Sequence, residues 1–284
     1  MPESPEVQAL IAALGPVLTG RTIAAIDLVE ARAYKTRGRP VAGIVGARVT
    51  GLGRFGKHLD VETDRGSLVV SFGRAGWAYP RAAGDADATL AASDADGDDP
   101  PVIATIVFDD DSTLDLTDAA DWLSLGLSWV DLPIEVAAIA ALGPDPLGPT
   151  FTREDFARAL GARRKQLKAL LQEQESLAGI GNAYSDEILH AAKISPRTHA
   201  AALDDLERER LFQAVRSVLT DAVAARTGIG SAELKAAKVA AMRVHGRTGE
   251  ACPVCGATVL DVPGTKGGAQ YCPTCQTAGV PLEG

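Results

Sequence analysis

The chain has 284 residues, 46% hydrophobic and 23% charged, which excludes disordered, collagenous and low-complexity proteins. No uncharged apolar stretch reaches the ~18 residues of a membrane span, and segment 7–20 follows Glu3 and Glu6 rather than a basic run, unlike a signal peptide. A soluble, cytosolic monomer of two domains is expected. The net charge of −9 argues against nucleic acid when taken over the whole chain. Its distribution reopens the question: residues 1–150 hold 11 basic and 22 acidic side chains, and residues 151–284 hold 17 and 15. Six Asp fall in 84–101, which reads as a solvated loop.

In chain order, Val7, Leu10, Ile11, Leu14 and Leu18 recur at helical spacing, with Gly20 as a stop. Strand-like runs follow at 22–29, 47–51, 57–63, 67–72, 102–108 and 112–116, separated by turns such as Gly53-Arg54-Phe55-Gly56 and Asp64-Arg65-Gly66. That pattern predicts a β-sandwich with a leading helix, over residues 1–130. The segment 131–149 carries Pro133, Pro144, Pro146 and Pro149 and reads as a linker. Helical periods then occupy 153–160, 165–175, 183–193 and 204–226, within a domain spanning 150–246. The fold class is therefore α+β.

All four cysteines lie in the last segment, 247–284, as Cys252-x2-Cys255 and Cys272-x2-Cys275 with 16 residues between the pairs. Two such knuckles can wrap one tetrahedral ion, and Pro253 and Pro273 set both turns alike. A single structural Zn2+ in a β-hairpin is expected; two disulfides or a redox pair are the alternatives.

Three other segments carry chemistry. Removal of Met1 would leave Pro2 as a terminal secondary amine, partly unprotonated near neutral pH. Such an amine attacks an aldehyde-like carbon to give an iminium, and Glu3 could shuttle protons; equally, Pro-Glu is an ordinary helix start. Leu177-Ala178-Gly179-Ile180-Gly181-Asn182 joins two helical periods through a glycine turn. It presents backbone N–H groups, with the Asn182 side chain, to a phosphate, or simply connects two helices. Arg163, Arg164, Lys165 and Lys168 beside it form the densest basic cluster.

Several motifs occur in order along the chain: Pro2-Glu3-x-Pro5-Glu6-Val7, Gly56-Lys57, Lys168-x-Leu170-Leu171-x-x-Gln174, and the Ala178-to-Leu189 segment. Val244-His245-Gly246-Arg247 and Tyr271-Cys272-Pro273-x-Cys275-Gln276 complete the set. Together they resemble the formamidopyrimidine-DNA glycosylase/endonuclease VIII (Fpg/Nei) family. The resemblance implies a helix–two-turn–helix DNA-binding domain before the zinc hairpin. It also implies a bifunctional DNA glycosylase/AP lyase of base excision repair acting on damaged DNA. A damaged, oxidised base is flipped into the cleft between the domains. Pro2 attacks C1′ and forms the Schiff base, and β,δ-elimination cuts the strand. Glu3 moves protons, Lys57 contacts a phosphate and assists catalysis, Glu6 supports the helix start, and Lys168 and Asn182 meet phosphates.

The chain also departs from the family pattern. An arginine usual five residues before the third zinc cysteine is Gly267 here, with Lys266 beside it as the substitute DNA contact. Arg74 stands where many members place a wedge methionine. The rest of the wedge is replaced by Asp118-Ala119-Ala120-Asp121-Trp122, in which Trp122 can stack but is expected in the core. Segment 227–241 lacks the aromatic pattern of the lesion-reading loop. The rival reading is a non-catalytic protein of the same family that binds damaged DNA.

Overall fold

The first helix, α1 (Ser4–Leu18), starts at an extended Glu3 whose N–H donates to the Glu6 carboxylate at 3.0 Å. That reciprocal cap satisfies a donor which the helix itself leaves open. Its buried stripe, Val7, Leu10, Leu14 and Leu18, matches the sequence period. The structure is a computed structural model and describes residues 2–84, 100–265 and 268–283. The six aspartates of the acidic stretch, and Lys266, lie outside the described residues. The chain divides into two units: Met1–Ala140 with Arg226–Lys235, and Ala141–Ala225 with Ala236–Gly284.

The first unit is a β-sandwich. Strands β1 (Ile23–Leu28), β2 (Val49–Phe55), β3 (His58–Thr63), β4 (Gly66–Ser71), β5 (Gly76–Arg81), β6 (Val102–Phe108), β7 (Thr113–Asp118) and β8 (Gly126–Val130) form two antiparallel sheets. Their orders are β1-β6-β7-β5 and β2-β3-β4-β8. Ile23, Phe108, Leu114 and Leu116 of one sheet share a core with Val49, Leu59, Leu68 and Leu127 of the other, and with α1. Leu234, fully buried, joins the same core, and Trp77 Nε1 donates to Ser231 O at 2.8 Å. Segment Arg226–Lys235 thereby belongs to this unit although it follows the helical half in sequence.

Three strand expectations need correction. β2 does not stop at 51: Leu52 to Phe55 pair with Val61 to His58, so the reversal is the two-residue Gly56-Lys57, with Gly56 at φ +57. β5 and β8 were not predicted. Both are sheet edges, where Pro80 in β5 needs no ladder donor and Gly126 opens β8. The stretch 131–149 carries a 3-10 turn at Pro133–Glu135 and the short α2 (Ala137–Ala140), both within the first unit.

One buried acid in this unit has no adequate partner. Asp60 is 1% exposed, its Oδ2 meets only the Ser67 hydroxyl at 3.5 Å, and Oδ1 has no hydrogen-bond partner. Burial raises its pKa to about 6. Because the folded pKa lies above the unfolded value, the carboxylate costs stability once pH rises from about 4 through 6. Asp60→Asn is expected to stabilise this unit by on the order of 2 kcal/mol at pH 8. The gain should vanish below pH 4, as read by urea denaturation at both pH values.

The second unit is helical: α3 (Arg153–Leu160), α4 (Leu167–Leu171), α5 (Asn182–Ala192), α6 (Asp205–Arg226, whose last residue goes with the first unit) and α7 (Leu234–Ala241, which spans the boundary). α3 coincides with its expected span because Thr152 and Asp155 cap each other, Asp155 N to Thr152 Oγ1 at 3.1 Å and Thr152 N to Asp155 Oδ2 at 3.0 Å. Phe156, Leu160, Leu167, Leu171, Tyr184, Ile188, Leu211 and Val215 fill its core. A short hairpin, β9 (Leu260–Asp261) with β10 (Gln270–Tyr271), and α8 (Pro273–Gln276) close the chain. Among the described residues no helix is long and apolar enough to cross a membrane.

Candidate functional site

At the start of α1, Pro2, Glu3 and Glu6 are all buried. Glu6 Oε1 lies 3.2 Å from Arg226 Nε, with both side chains almost wholly enclosed. This buried ion pair, together with the cap, fixes the first turn of the helix and so the direction in which Pro2 and Glu3 leave it. Arg226 was not singled out in the sequence, where it reads as an ordinary helix-end cation.

Lys57 sits half-buried on the β2–β3 turn. Arg54 ties that turn to α1: its Nε donates to Gln8 Oε1 at 3.0 Å and its Nη1 to Gly56 O at 3.0 Å. Beside Lys57, His58 Nδ1 meets Ser71 Oγ at 2.6 Å. Burial, then the neighbouring lysine charge, pushes the His58 pKa below its usual range. In the first unit α1 packs on β2 and β3, and Arg54 links Gln8 of α1 to the turn that carries Lys57.

Arg74 is exposed on the turn between β4 and β5. Gly73 at φ +57 leaves no room for a Cβ against the Ser124 carbonyl, and Arg74 N donates to Ser124 Oγ at 2.8 Å. The opposing loop is built by Asp118, which accepts from Ser124 N at 2.6 Å and from Leu125 N at 2.8 Å. That loop holds Trp122 outside the core, 60% exposed, with the Arg74 guanidinium 5.3 Å from its ring centre. The core expectation for Trp122 is thus overturned; the carboxylate cap, not side-chain hydrophobicity, decides the loop's path.

In the second unit Gln174 clamps the glycine turn, accepting from Gly179 N at 2.9 Å and donating to Ile180 O at 2.7 Å. Asn182, exposed as the first residue of α5, accepts from Gln172 Nε2 at 3.2 Å. Lys168 is tethered: its ammonium lies 2.6 Å from Asp186 Oδ1, 3.0 Å from Ser185 Oγ and 3.1 Å from Asn182 O. Asp186 Oδ2 in turn meets His245 Nδ1 at 2.8 Å and accepts from Gln270 N at 3.2 Å. Its neighbour Glu187 accepts the backbone N–H groups of Arg243, Val244 and His245 at 3.0, 2.9 and 2.9 Å. Burial still pushes the Glu187 pKa up. One turn of α5 thus anchors α4, the Val244–Arg247 motif and strand β10.

The rest of the basic cluster is largely neutralised. Arg163 and Lys165 share Glu173 at 2.6 and 2.7 Å, which holds that carboxyl down to about 2, the Lys165 bond contributing most. Within the cluster, Arg164 alone makes no ion pair among the described residues.

The cysteines converge as the spacing implies. Cys252 and Cys275 Sγ are 3.9 Å apart, and Cys255 and Cys272 Sγ 3.4 Å apart. Thiolates around a tetrahedral zinc stand about 3.8 Å apart, so the donor set fits a soft divalent ion. His190 joins three of the cysteines in a group, His190, Cys252, Cys272 and Cys275, whose ligand atoms all lie within 4.8 Å of one another. His190 is a member the sequence did not suggest, since a lone histidine on an otherwise buried helix face reads as core.

A sandwich that carries Pro2-Glu3 on its leading helix, followed by a glycine-turned helical unit with a metal-knuckle hairpin, defines the class of damaged-DNA glycosylases. Residues 1–122 match the formamidopyrimidine-DNA glycosylase N-terminal domain and residues 142–233 the formamidopyrimidine-DNA glycosylase H2TH domain. The chain is 32% identical to a formamidopyrimidine-DNA glycosylase of Heliobacterium modesticaldum, over 97% of this chain and 100% of that protein. It is 49% identical to an uncharacterized formamidopyrimidine-DNA glycosylase-like protein of Mycobacterium tuberculosis, over 50% of this chain and 89% of that one. Among solved structures, the Lactococcus lactis Fpg (MutM) protein in complex with DNA containing N7-benzyl-Fapy-dG superposes with a TM-score of 0.82 at 25% identity, covering 97% and 99% of the two chains. The chain belongs to the formamidopyrimidine-DNA glycosylase family.

Proposed function

We propose that this protein removes a damaged, oxidised base from DNA and cleaves the strand at the abasic site it creates. The observation that carries the reading is the fixed start of α1, where the Glu6 cap and the Glu6–Arg226 pair set the position of Pro2 and Glu3. With Met1 removed, the Pro2 nitrogen attacks C1′ of the flipped nucleotide, the base leaves, and the opened sugar remains as an iminium. That cation acidifies C2′–H: loss of this proton expels the 3′-phosphate (β-elimination), and loss of a C4′ proton then expels the 5′-phosphate (δ-elimination). Glu3 gives and takes the protons, and Lys57 neutralises the phosphate next to the lesion. Among the Lactococcus neighbours are complexes with DNA containing N7-benzyl-Fapy-dG, Fapy-dG and an oxidised pyrimidine, which supports an oxidised or ring-opened base as substrate.

Asn182 and the glycine-turn N–H groups receive a phosphate, Lys168 holds that turn in place, and Lys266 adds a second phosphate contact. Arg74, with its guanidinium 5.3 Å from the Trp122 ring centre, supplies the surface that replaces the flipped base. One structural Zn2+ on Cys252, Cys255, Cys272 and Cys275 would staple a hairpin too short to hold a core of its own. In a duplex containing Fapy-dG, the trimmed protein is expected to release base and cut the strand, and Pro2→Gly to do neither. Tight lesion binding without base release by the trimmed wild type would instead make the protein a non-catalytic binder of damaged DNA.

The ion pairs also shape the salt dependence of DNA affinity. Arg164→Ala should reduce the slope of log affinity against log salt by about 0.9, one phosphate contact. Glu173→Gln should raise it, because it releases the charges of Arg163 and Lys165. Fluorescence anisotropy on an undamaged duplex from low to moderate salt reads both; an unchanged slope in Glu173→Gln would place those two cations away from DNA.

A further inference from the structure

The closing hairpin holds more donors than one tetrahedral ion requires: four thiols and an imidazole. His190 lies in the last turn of α5, 2% exposed, with Nε2 only 3.3 Å from Cys252 Sγ. A nitrogen and a sulfur bound to the same zinc stand about 3.5 Å apart, so His190 is already near a ligand position. Its other ring nitrogen, Nδ1, is buried with no hydrogen-bond partner. Among the described residues the ring's hydrogen-bonding contact is therefore with the knuckle sulfur, through Nε2.

The cysteines are unequal. Cys252 and Cys272 are buried and Cys275 partly so, whereas Cys255 is exposed. Cys255 also stands outside the group in which the ligand atoms of His190, Cys252, Cys272 and Cys275 lie within 4.8 Å of one another. The exposed thiolate is therefore the one that solvent protons, electrophiles or competing metals reach first, whereas the His190 imidazole is buried.

We propose that His190 is an exchangeable fifth ligand of the knuckle ion, entering the coordination position of Cys255 when that thiolate is withdrawn. The exchange balances simply: Cys255 Sγ leaves with its electron pair and takes a proton from solvent. The neutral His190 imidazole, its proton on Nδ1, then donates the Nε2 lone pair, and the site changes from four thiolates to three thiolates and one nitrogen. The hairpin would thereby keep its ion, and its attachment to α5, through the loss of its most vulnerable ligand.

This inference rests on the zinc reading above, and the test separates the two. Zinc per chain is measured by elemental analysis after dialysis against a weak chelator, for wild type, Cys255→Ser, Cys272→Ser and Cys255→Ser/His190→Phe. The His190 ring nitrogens are followed by long-range 15N–1H correlation. Wild type and Cys255→Ser should each retain one zinc per chain, with the Nε2 resonance of His190 moving to a metal-bound position only in Cys255→Ser. Cys272→Ser and the double variant should be empty. Loss of zinc from Cys255→Ser as complete as from Cys272→Ser would overturn the proposal, as would zinc retained with His190 unshifted, since His190 would then be only a hydrogen-bond donor to Cys252. If the double variant fails to fold, the nitrogen shift in Cys255→Ser decides alone. Wild type without zinc would remove the metal reading itself, and this proposal with it.

Discussion

Arg226→Met is expected to destabilise the β-sandwich unit by about 3–5 kcal/mol, the usual consequence of leaving half of a buried ion pair. Glu6 and Arg226 are 1% and 2% exposed, so neither charge can turn to water without opening the core. The stranded Glu6 carboxylate also holds the N–H of Glu3, and its movement toward solvent would unwind the first helical turn. On the proposed mechanism, a displacement near 1 Å at Pro2 costs on the order of 100-fold in strand cleavage, with undamaged-duplex affinity nearly unchanged. Glu6→Gln/Arg226→Met should recover a large part of the stability, because no unpaired charge is left. Chemical denaturation and single-turnover cleavage measure the two effects separately. An Arg226→Met protein as stable as wild type would show that the pair contributes nothing.

Asp186→Asn should have a comparable effect in the helical unit. Asp186 is fully enclosed and its two oxygens hold Lys168, His245 and the N–H of Gln270. An amide offers one acceptor where two are used, so the Lys168 ammonium, only 12% exposed, loses its counter-ion. A loss of about 3–5 kcal/mol is expected. Because Lys168 also touches Asn182 O and Ser185 Oγ, the glycine turn should loosen and DNA affinity fall alongside. The cycle with Lys168→Met should show strong coupling: once the aspartate is gone, removing the lysine should cost little. Additive losses would mean that the two side chains act independently.

Much of this was legible in the sequence where the signal is local. The α1 stripe and the Thr152/Asp155 cap of α3 are set by residues within one or two turns. The CxxC pairs likewise announce their convergence by spacing alone. Edge strands β5 and β8 carry Pro80 and Gly126, residues of weak strand propensity that dilute the sequence signal and cost little at a sheet edge. The partners of functional side chains were the least legible. Lys168 looked like a free phosphate ligand, but its counter-ion Asp186 lies 18 residues away, one turn into the next helix. Arg226 meets Glu6 only because the chain returns to the first unit after α6. His190 carries no spacing that marks a ligand, and only the folded position of α5 brings it to Cys252.

The central claim is that Pro2 is the nucleophile. It is tested most directly by reducing the reaction of the trimmed protein with an abasic-site duplex, using borohydride, and mapping the adduct by mass spectrometry. The account predicts one covalent protein–DNA species, its mass on the peptide beginning at Pro2, and none from Pro2→Gly. A reduced adduct on a lysine, Lys57 included, or no adduct from fully trimmed protein that binds the duplex, would contradict it.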